Sequence, residues 1–118
     1  MKRQLVAALI FSLPVVASAQ ESKRRIPRYQ YFHCTAVHRI LAEAYKQIGD
    51  KVSEAAQRDK AELRLQEGTK DLIEVGKDPS EAEGRVQKYV DKIIGELEAD
   101  PEKIRVYVFG CDEVHFPG

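Results

Sequence analysis

The sequence lacks most of the side-chain arrangements that enzymes use. It contains no tryptophan and no asparagine, and after residue 19 serine occurs at Ser22, Ser53 and Ser80 alone, none of them in a G-x-S-x-G nucleophile elbow. A P-loop, a G-x-G-x-x-G turn, an H-E-x-x-H helix and a C-x-x-C pair are also missing. We therefore expect a protein that is not an enzyme and needs no cofactor.

Long apolar runs are missing too, except in the first 19 residues (the leader), which have the three parts of a secretory signal peptide. Lys2 and Arg3 give a basic start, residues 5–16 are mostly apolar, and Ala17-Ser18-Ala19 has the small residues of a signal peptidase site. The apolar stretch is shorter than the roughly 20 residues that span a bilayer. We expect cleavage before Gln20 and a periplasmic location, with secretion to the medium as the alternative. No membrane span is then expected in the mature chain.

Neither sign of charge dominates the chain, which has 19 basic and 19 acidic residues. Residues 20–30 (the arm) are polar and basic and include Pro27, so we expect flexible chain there. Residues 31–118, the predicted helical domain, carry 13 basic and 18 acidic residues. An acidic exported domain is not expected to bind nucleic acid, and another protein is the expected partner.

Cysteine is scarce: the chain has two, Cys34 and Cys111, which are 77 residues apart. In an oxidising compartment an even pair of cysteines is read first as a disulfide. A cross-link between residues so distant would restrict the unfolded chain strongly. We therefore predict a disulfide between Cys34 and Cys111.

Each cysteine has a histidine four residues later, which gives the pairs Cys34/His38 and Cys111/His115. Residues four apart share one face of a helix, so two such pairs brought together would form a Cys2His2 set suited to zinc or copper. A metal-binding protein that uses these four residues is therefore the alternative to the disulfide. His33 is expected to stay outside that set, because the residue before Cys34 points to a different face.

Apolar residues with helical spacing predict three helices, over residues 31–48, 51–75 and 79–99. Gly49 and Gly76 follow the first two helices, and Asp78 and Pro79 suit the start of the third. Gly68 in the middle of the second helix predicts a bend or a close contact with another helix. The predicted apolar stripes comprise Cys34, Val37, Leu41, Ala44 and Ile48 in the first helix, Ala61, Leu65, Gly68, Leu72 and Val75 in the second with Val52, Ala55 and Ala56 before them, and Ala82, Val86, Tyr89, Val90, Ile93 and Leu97 in the third.

The last segment, IRVYVF at residues 104–109, has the β-branched and aromatic content of a strand. Asp100 and Pro101 nevertheless repeat the helix start seen at residues 78–79, and the chain has no obvious partner strand. We predict a helix over residues 101–113, which brings Cys111 near Cys34. The expected fold is all-α, a small bundle of about four helices clasped by one disulfide.

With enzymatic motifs missing, the expected function is protein–protein contact by a small exported helical protein. Acid-stress-type chaperones and toxin-immunity proteins have this general architecture, and each is an alternative, as is the metal-binding protein above. The aromatic residues are expected to pack around the disulfide, although they would also suit a binding patch. They are Tyr29, Tyr31, Phe32, Tyr107 and Phe109.

Overall fold

The structure, a computed structural model, describes residues 30–113. Within this range the chain forms α1 (Tyr31–Gln47), α2 (Lys51–Glu74), α3 (Ala82–Ala99) and α4 (Lys103–Glu113), with a 3₁₀ turn over Pro79–Glu81. These residues contain no strand, so the all-α prediction and the helical prediction for the last segment are confirmed. The leader, residues 20–29 of the arm and residues 114–118 lie outside the described residues.

The first two helices end in glycine turns. Gly49 and Gly76 have positive φ angles of 81° and 80°, a backbone region that costs glycine little because it has no Cβ. In both turns the N–H of the residue after the glycine donates to a carbonyl five residues earlier, at 3.0 Å after Gly49 and 2.8 Å after Gly76. This Schellman pattern satisfies the last carbonyls of α1 and α2 and turns the chain sharply.

Aspartate side chains mark where the later elements begin. Asp50, Asp78 and Asp100 each accept a hydrogen bond from a backbone N–H two or three residues further on, at 2.9–3.2 Å. The α-helices that follow Asp78 and Asp100 begin at Ala82 and Lys103, later than predicted, because the intervening residues form tighter turns.

Helix α1 is the centre of the bundle. It packs against α2, α3 and α4, whereas α2 and α3 make few contacts with each other. All five residues from Cys34 to His38 are buried, so this part of α1 is enclosed on every side. The fully buried core cluster consists of Cys34, Ala36, Val37, Val86, Ile93 and Cys111.

Several positions of the predicted apolar stripes are exposed. Ile48 is 74% exposed, Val52 83% and Val75 51%, and Ala44, Ala55 and Ala56 are exposed as well. Ile48 and Val52 flank the turn between α1 and α2, and Val75 follows the end of α2, so they lie beyond the enclosed part of α1. The prediction that they belong to the core was wrong.

No helix among residues 30–113 has both the length and the apolar character that a membrane crossing requires.

Candidate functional site

The predicted disulfide is present and joins α1 to α4. Cys34 and Cys111 have Cα atoms 5.6 Å apart, and both residues are buried, at 0% and 1% exposure. The bond holds α4 against the enclosed part of α1, where the core cluster lies. The disulfide therefore fixes the position of α4 relative to α1.

His33 is the histidine beside the disulfide. Its ring nitrogen and the two sulfur atoms all lie within 4.8 Å of one another. Its ring meets the ring of Tyr107 at 4.8 Å and that of Tyr89 at 5.4 Å, both edge to face. His33 was set outside the metal set because the residue before Cys34 points to a different face, and that reason was wrong. Adjacent helical residues differ by about 100° in direction, but the imidazole is long enough to return toward the sulfurs.

Burial is the largest cause that lowers the pKa of His33, and the positive charge of Lys92 lowers it further. Glu96 acts in the opposite direction. The imidazole is therefore neutral at pH 7 and packs between the rings of Tyr89 and Tyr107.

His38 lies in a different polar cluster, between α1, α2 and α4. It is 1% exposed, and its Nδ1 lies 2.7 Å from Oε1 of Gln57, to which it donates. Its Nε2 is 3.9 Å from Oδ1 of Asp112, too far for a hydrogen bond, and Nζ of Lys60 lies 3.4 Å from the same oxygen. These polar contacts connect α2, which carries Gln57 and Lys60, to His38 of α1 and Asp112 of α4.

The disulfide uses both cysteine sulfurs, so the Cys2His2 alternative refers to a reduced form of the protein. Of its four residues, Cys34 and Cys111 are bonded to each other, His38 is engaged with Gln57, and His115 lies outside the described residues. The histidine that lies beside both cysteines is His33, which was not expected to belong to the metal set.

Burial is the largest cause that lowers the pKa of His38 below 6.5, while Gln57 and Asp112 raise it and Lys60 and Arg64 lower it. The unfolded chain therefore binds a proton at a higher pH than the folded protein does. We expect the free energy of unfolding to fall as the pH drops below about 6.5, toward the lowered pKa of the folded state.

Urea unfolding at several pH values between 7.5 and 5 measures this effect. His38→Gln is expected to flatten the pH dependence, and His33→Gln is the companion variant because its pKa shift has the same direction. If stability rises or stays constant as the pH falls through this range, the inferred cost of charging His38 is contradicted.

A second polar contact fastens α4 to α3. The hydroxyl of Tyr107 donates a short hydrogen bond to Glu96, and Nζ of Lys103 lies 3.7 Å from the same carboxylate. The hydrogen bond to Glu96 raises the pKa of Tyr107 to about 12 and lowers the pKa of Glu96. The proton of Tyr107 is thus held more tightly in the folded protein than in the unfolded chain.

We expect one of the five tyrosines to ionise near pH 12 in the folded protein, and Tyr107→Phe to remove that step from the ultraviolet titration. Because the folded-state pKa is raised from 10.0, the stabilisation is complete below pH 10 and is lost as the pH rises toward 12. Glu96→Gln should return the late step toward pH 10.0, whereas the control Tyr45→Phe should retain it. A late step that survives in Tyr107→Phe would contradict the assignment.

The predicted aromatic cluster divides into two groups. Tyr31, Phe32 and Tyr107 pack against the core, as expected. Phe109 is 67% exposed and Val106, one turn before it on α4, is 66% exposed. They form an apolar patch on the outer face of α4, beside the exposed ion pair of Arg105 and Glu102. Phe109 was expected in the core, and that prediction was wrong; Tyr29 lies outside the described residues.

Comparison of the chain with protein-family models, with curated proteins and with solved structures finds no match.

Proposed function

We propose that this is an exported, periplasmic protein without catalytic activity that acts by contact with another protein through the outer face of α4. The observation that carries the proposal is the exposure of Val106 and Phe109, which lie three residues apart and hence on one helix face. Aromatic side chains often supply the central anchor of a protein interface. The proposed partner offers an apolar pocket for Phe109.

The attachment of α4 supports this role, because a binding face costs less to order when it is already rigid. Helix α4 has 11 residues, too few to be stable alone in water. It is held by the disulfide at Cys111, by the Tyr107–Glu96 hydrogen bond and by the Lys60–Asp112 ion pair of 3.4 Å. Phe109 lies on the side of α4 opposite Tyr107 and Cys111, whereas Asp112, three residues after Phe109, lies nearer to it.

The leader supports export, and the disulfide is compatible with it. A direct check is the intact mass of the protein recovered from the periplasm, with and without reductant and with metal analysis. We expect a chain that begins at Gln20, weighs two hydrogens less than the reduced form and holds no metal. Two free thiols with bound zinc or copper would instead support the metal-binding alternative.

The contact is tested by placing a photo-crosslinking residue at Phe109 of the full chain in the producing cell. The matched control is Ile73, an apolar residue on α2 that is 57% exposed. We expect one discrete adduct from position 109, lost when Val106 is changed to Asp, and no such adduct from position 73. Equal labelling from both positions, or none from position 109, would overturn the proposal.

The toxin-immunity and acid-stress alternatives differ in when the partner binds. An immunity protein holds one partner tightly at neutral pH, whereas an acid-stress-type chaperone exposes apolar surface after acid has loosened its fold. The lowered pKa of buried His38 favours the second alternative, because it makes the fold sensitive to mild acid. Crosslinking from position 109 at pH 7 and at pH 5 therefore separates them.

A further inference from the structure

A cleft lies between α2 and α3, with Phe32 of α1 in its lining. Its volume is about 900 Å³. Helices α2 and α3 both pack on α1 but make few contacts with each other, which leaves space between them. Binding clefts for small molecules commonly have volumes of this order.

The floor of this α2–α3 cleft is apolar and well fixed. Phe32 of α1, Leu72 of α2 and Tyr89 of α3 line it. The Phe32 ring rests against Gly68, so closely that a Cβ on that glycine would come within 2.6 Å of the ring. The Tyr89 ring also contacts the ring of His33, edge to face. A flat or extended apolar group would meet a preformed surface there.

The α3 side of the cleft is basic. Arg85, Lys88 and Lys92 line it, and spacings of three and four residues put them on one face of the helix. Arg85 is paired with Glu81, its Nη2 lying 2.9 Å from the carboxylate, which leaves the two lysines as the charges available to a ligand. The other acid of the lining, Asp71, belongs to the α2 wall.

Gly84 is part of the lining of the cleft. It lies on α3, one turn before Lys88, and a Cβ added to it would meet no atom within 4 Å. A larger side chain there would occupy the space of a ligand without straining the helix, and alanine or leucine would favour the helical state.

We propose that the α2–α3 cleft binds an amphipathic organic anion, a single carboxylate or sulfonate on an apolar body. The apolar body lies on Phe32, Leu72 and Tyr89, and the anionic group contacts Lys88 and Lys92. Charge complementarity selects an anion, and the aromatic floor selects against small hydrophilic anions. This site goes beyond the proposed function, since it takes a small molecule and does not involve α4.

The experiment uses the folded mature protein at pH 7 with the fluorescent probe 8-anilinonaphthalene-1-sulfonate, which has this chemistry. We expect binding at one site and displacement by dodecanoate below its micelle concentration. Acetate lacks the apolar body and dodecyltrimethylammonium has the opposite charge, so neither should displace the probe. Displacement by the cationic detergent as readily as by dodecanoate would show simple apolar adsorption and overturn the proposal.

Two pairs of variants locate the site. Gly84→Leu should weaken probe binding at least about tenfold, while Gly95→Leu, at a glycine of the same helix that also has free space around it, should leave it unchanged. The double variant Lys88→Glu/Lys92→Glu should bind dodecanoate about tenfold more weakly. The control Lys46→Glu on α1 should leave the affinity for dodecanoate unchanged. Thermal unfolding checks that all variants are folded. Equal binding by Gly84→Leu and Gly95→Leu would overturn the cleft as the site, whatever the crosslinking at Phe109 shows.

Discussion

Removal of the Cys34–Cys111 disulfide should lower the free energy of unfolding by about 4.5 kcal/mol, the value that the chain-entropy relation assigns to a loop of 77 residues. Small domains are stable by about 5–15 kcal/mol in total, so the loss is a large part of the whole. The fully buried cluster has two cysteines and an alanine among its six residues, and the larger apolar side chains packed against it are only partly buried. We expect the cross-linked protein to be stable and the uncross-linked one to be near its unfolding midpoint.

Urea unfolding of the oxidised protein, the reduced protein and the Cys34→Ala/Cys111→Ala variant measures this loss. Alanine is chosen because both positions are buried, where a serine hydroxyl would need a partner. The reduced protein and the double variant should agree closely with each other. A difference from the oxidised form of less than about 1 kcal/mol would mean that the unfolded chain keeps α1 and α4 together without the bond.

Gly68→Ala should destabilise the protein, although alanine is the better helix former by about 1 kcal/mol. The new Cβ would lie 2.6 Å from Cε1 and 2.7 Å from Cζ of Phe32, closer than non-bonded carbon atoms approach each other. Phe32 is a stiff ring packed against the core, so the helices must move apart or the ring must leave its place. Overpacking of this kind costs about 1–3 kcal/mol, which exceeds the gain in helix propensity.

Gly95→Ala is the matched control, because Gly95 also lies inside a helix but has no atom within 4 Å of the added Cβ. That variant should gain about 0.5–1 kcal/mol from helix propensity alone, so the two substitutions should change the unfolding temperature in opposite directions. Phe32→Leu, which removes the ring from above Gly68, should make Gly68→Ala less harmful than it is in the native background. Stabilisation by both alanine variants would contradict the close contact.

The local chemistry of the sequence was enough to predict the helices. Gly49 and Gly76 end α1 and α2 because each adopts a positive φ, and aspartate caps precede α2, the 3₁₀ turn and the turn before α4. Residues 104–109 are helical despite their strand-like composition, because the described chain offers them helices to pack on. The disulfide followed from there being only two cysteines.

The contents of the core were predicted less well, since periodicity tells which residues share a helix face but not which neighbour covers that face. Ile48 and Val75 continue the stripes of α1 and α2 by spacing, yet they lie beyond the region that other helices cover. Phe109 has the hydrophobicity of a core residue and lies two residues from Cys111, but α4 turns it outward.

The cleft and the position of His33 could not be read from the sequence. Phe32 and Leu72 are 40 residues apart and Leu72 and Lys88 are 16 apart. The packing of α2 and α3 on α1 brings all three to one opening. His33 reaches the disulfide through the length of its side chain, which the helical spacing of Cα atoms does not describe. Both the cleft and the position of His33 are determined by tertiary packing, which helical spacing does not predict.

The connection of α1 to α4 by Cys34 and Cys111 has a consequence for biosynthesis. Cys34 emerges from the ribosome long before Cys111, so its thiol has no partner in its own chain until nearly the whole domain has been made. Once Cys111 follows, a single intramolecular pairing exists, and no disulfide isomerase is needed to correct it. The error open to this chain is a bond between two molecules. We therefore expect the yield of correctly oxidised protein to depend on the concentration of newly made chains rather than on shuffling within one chain.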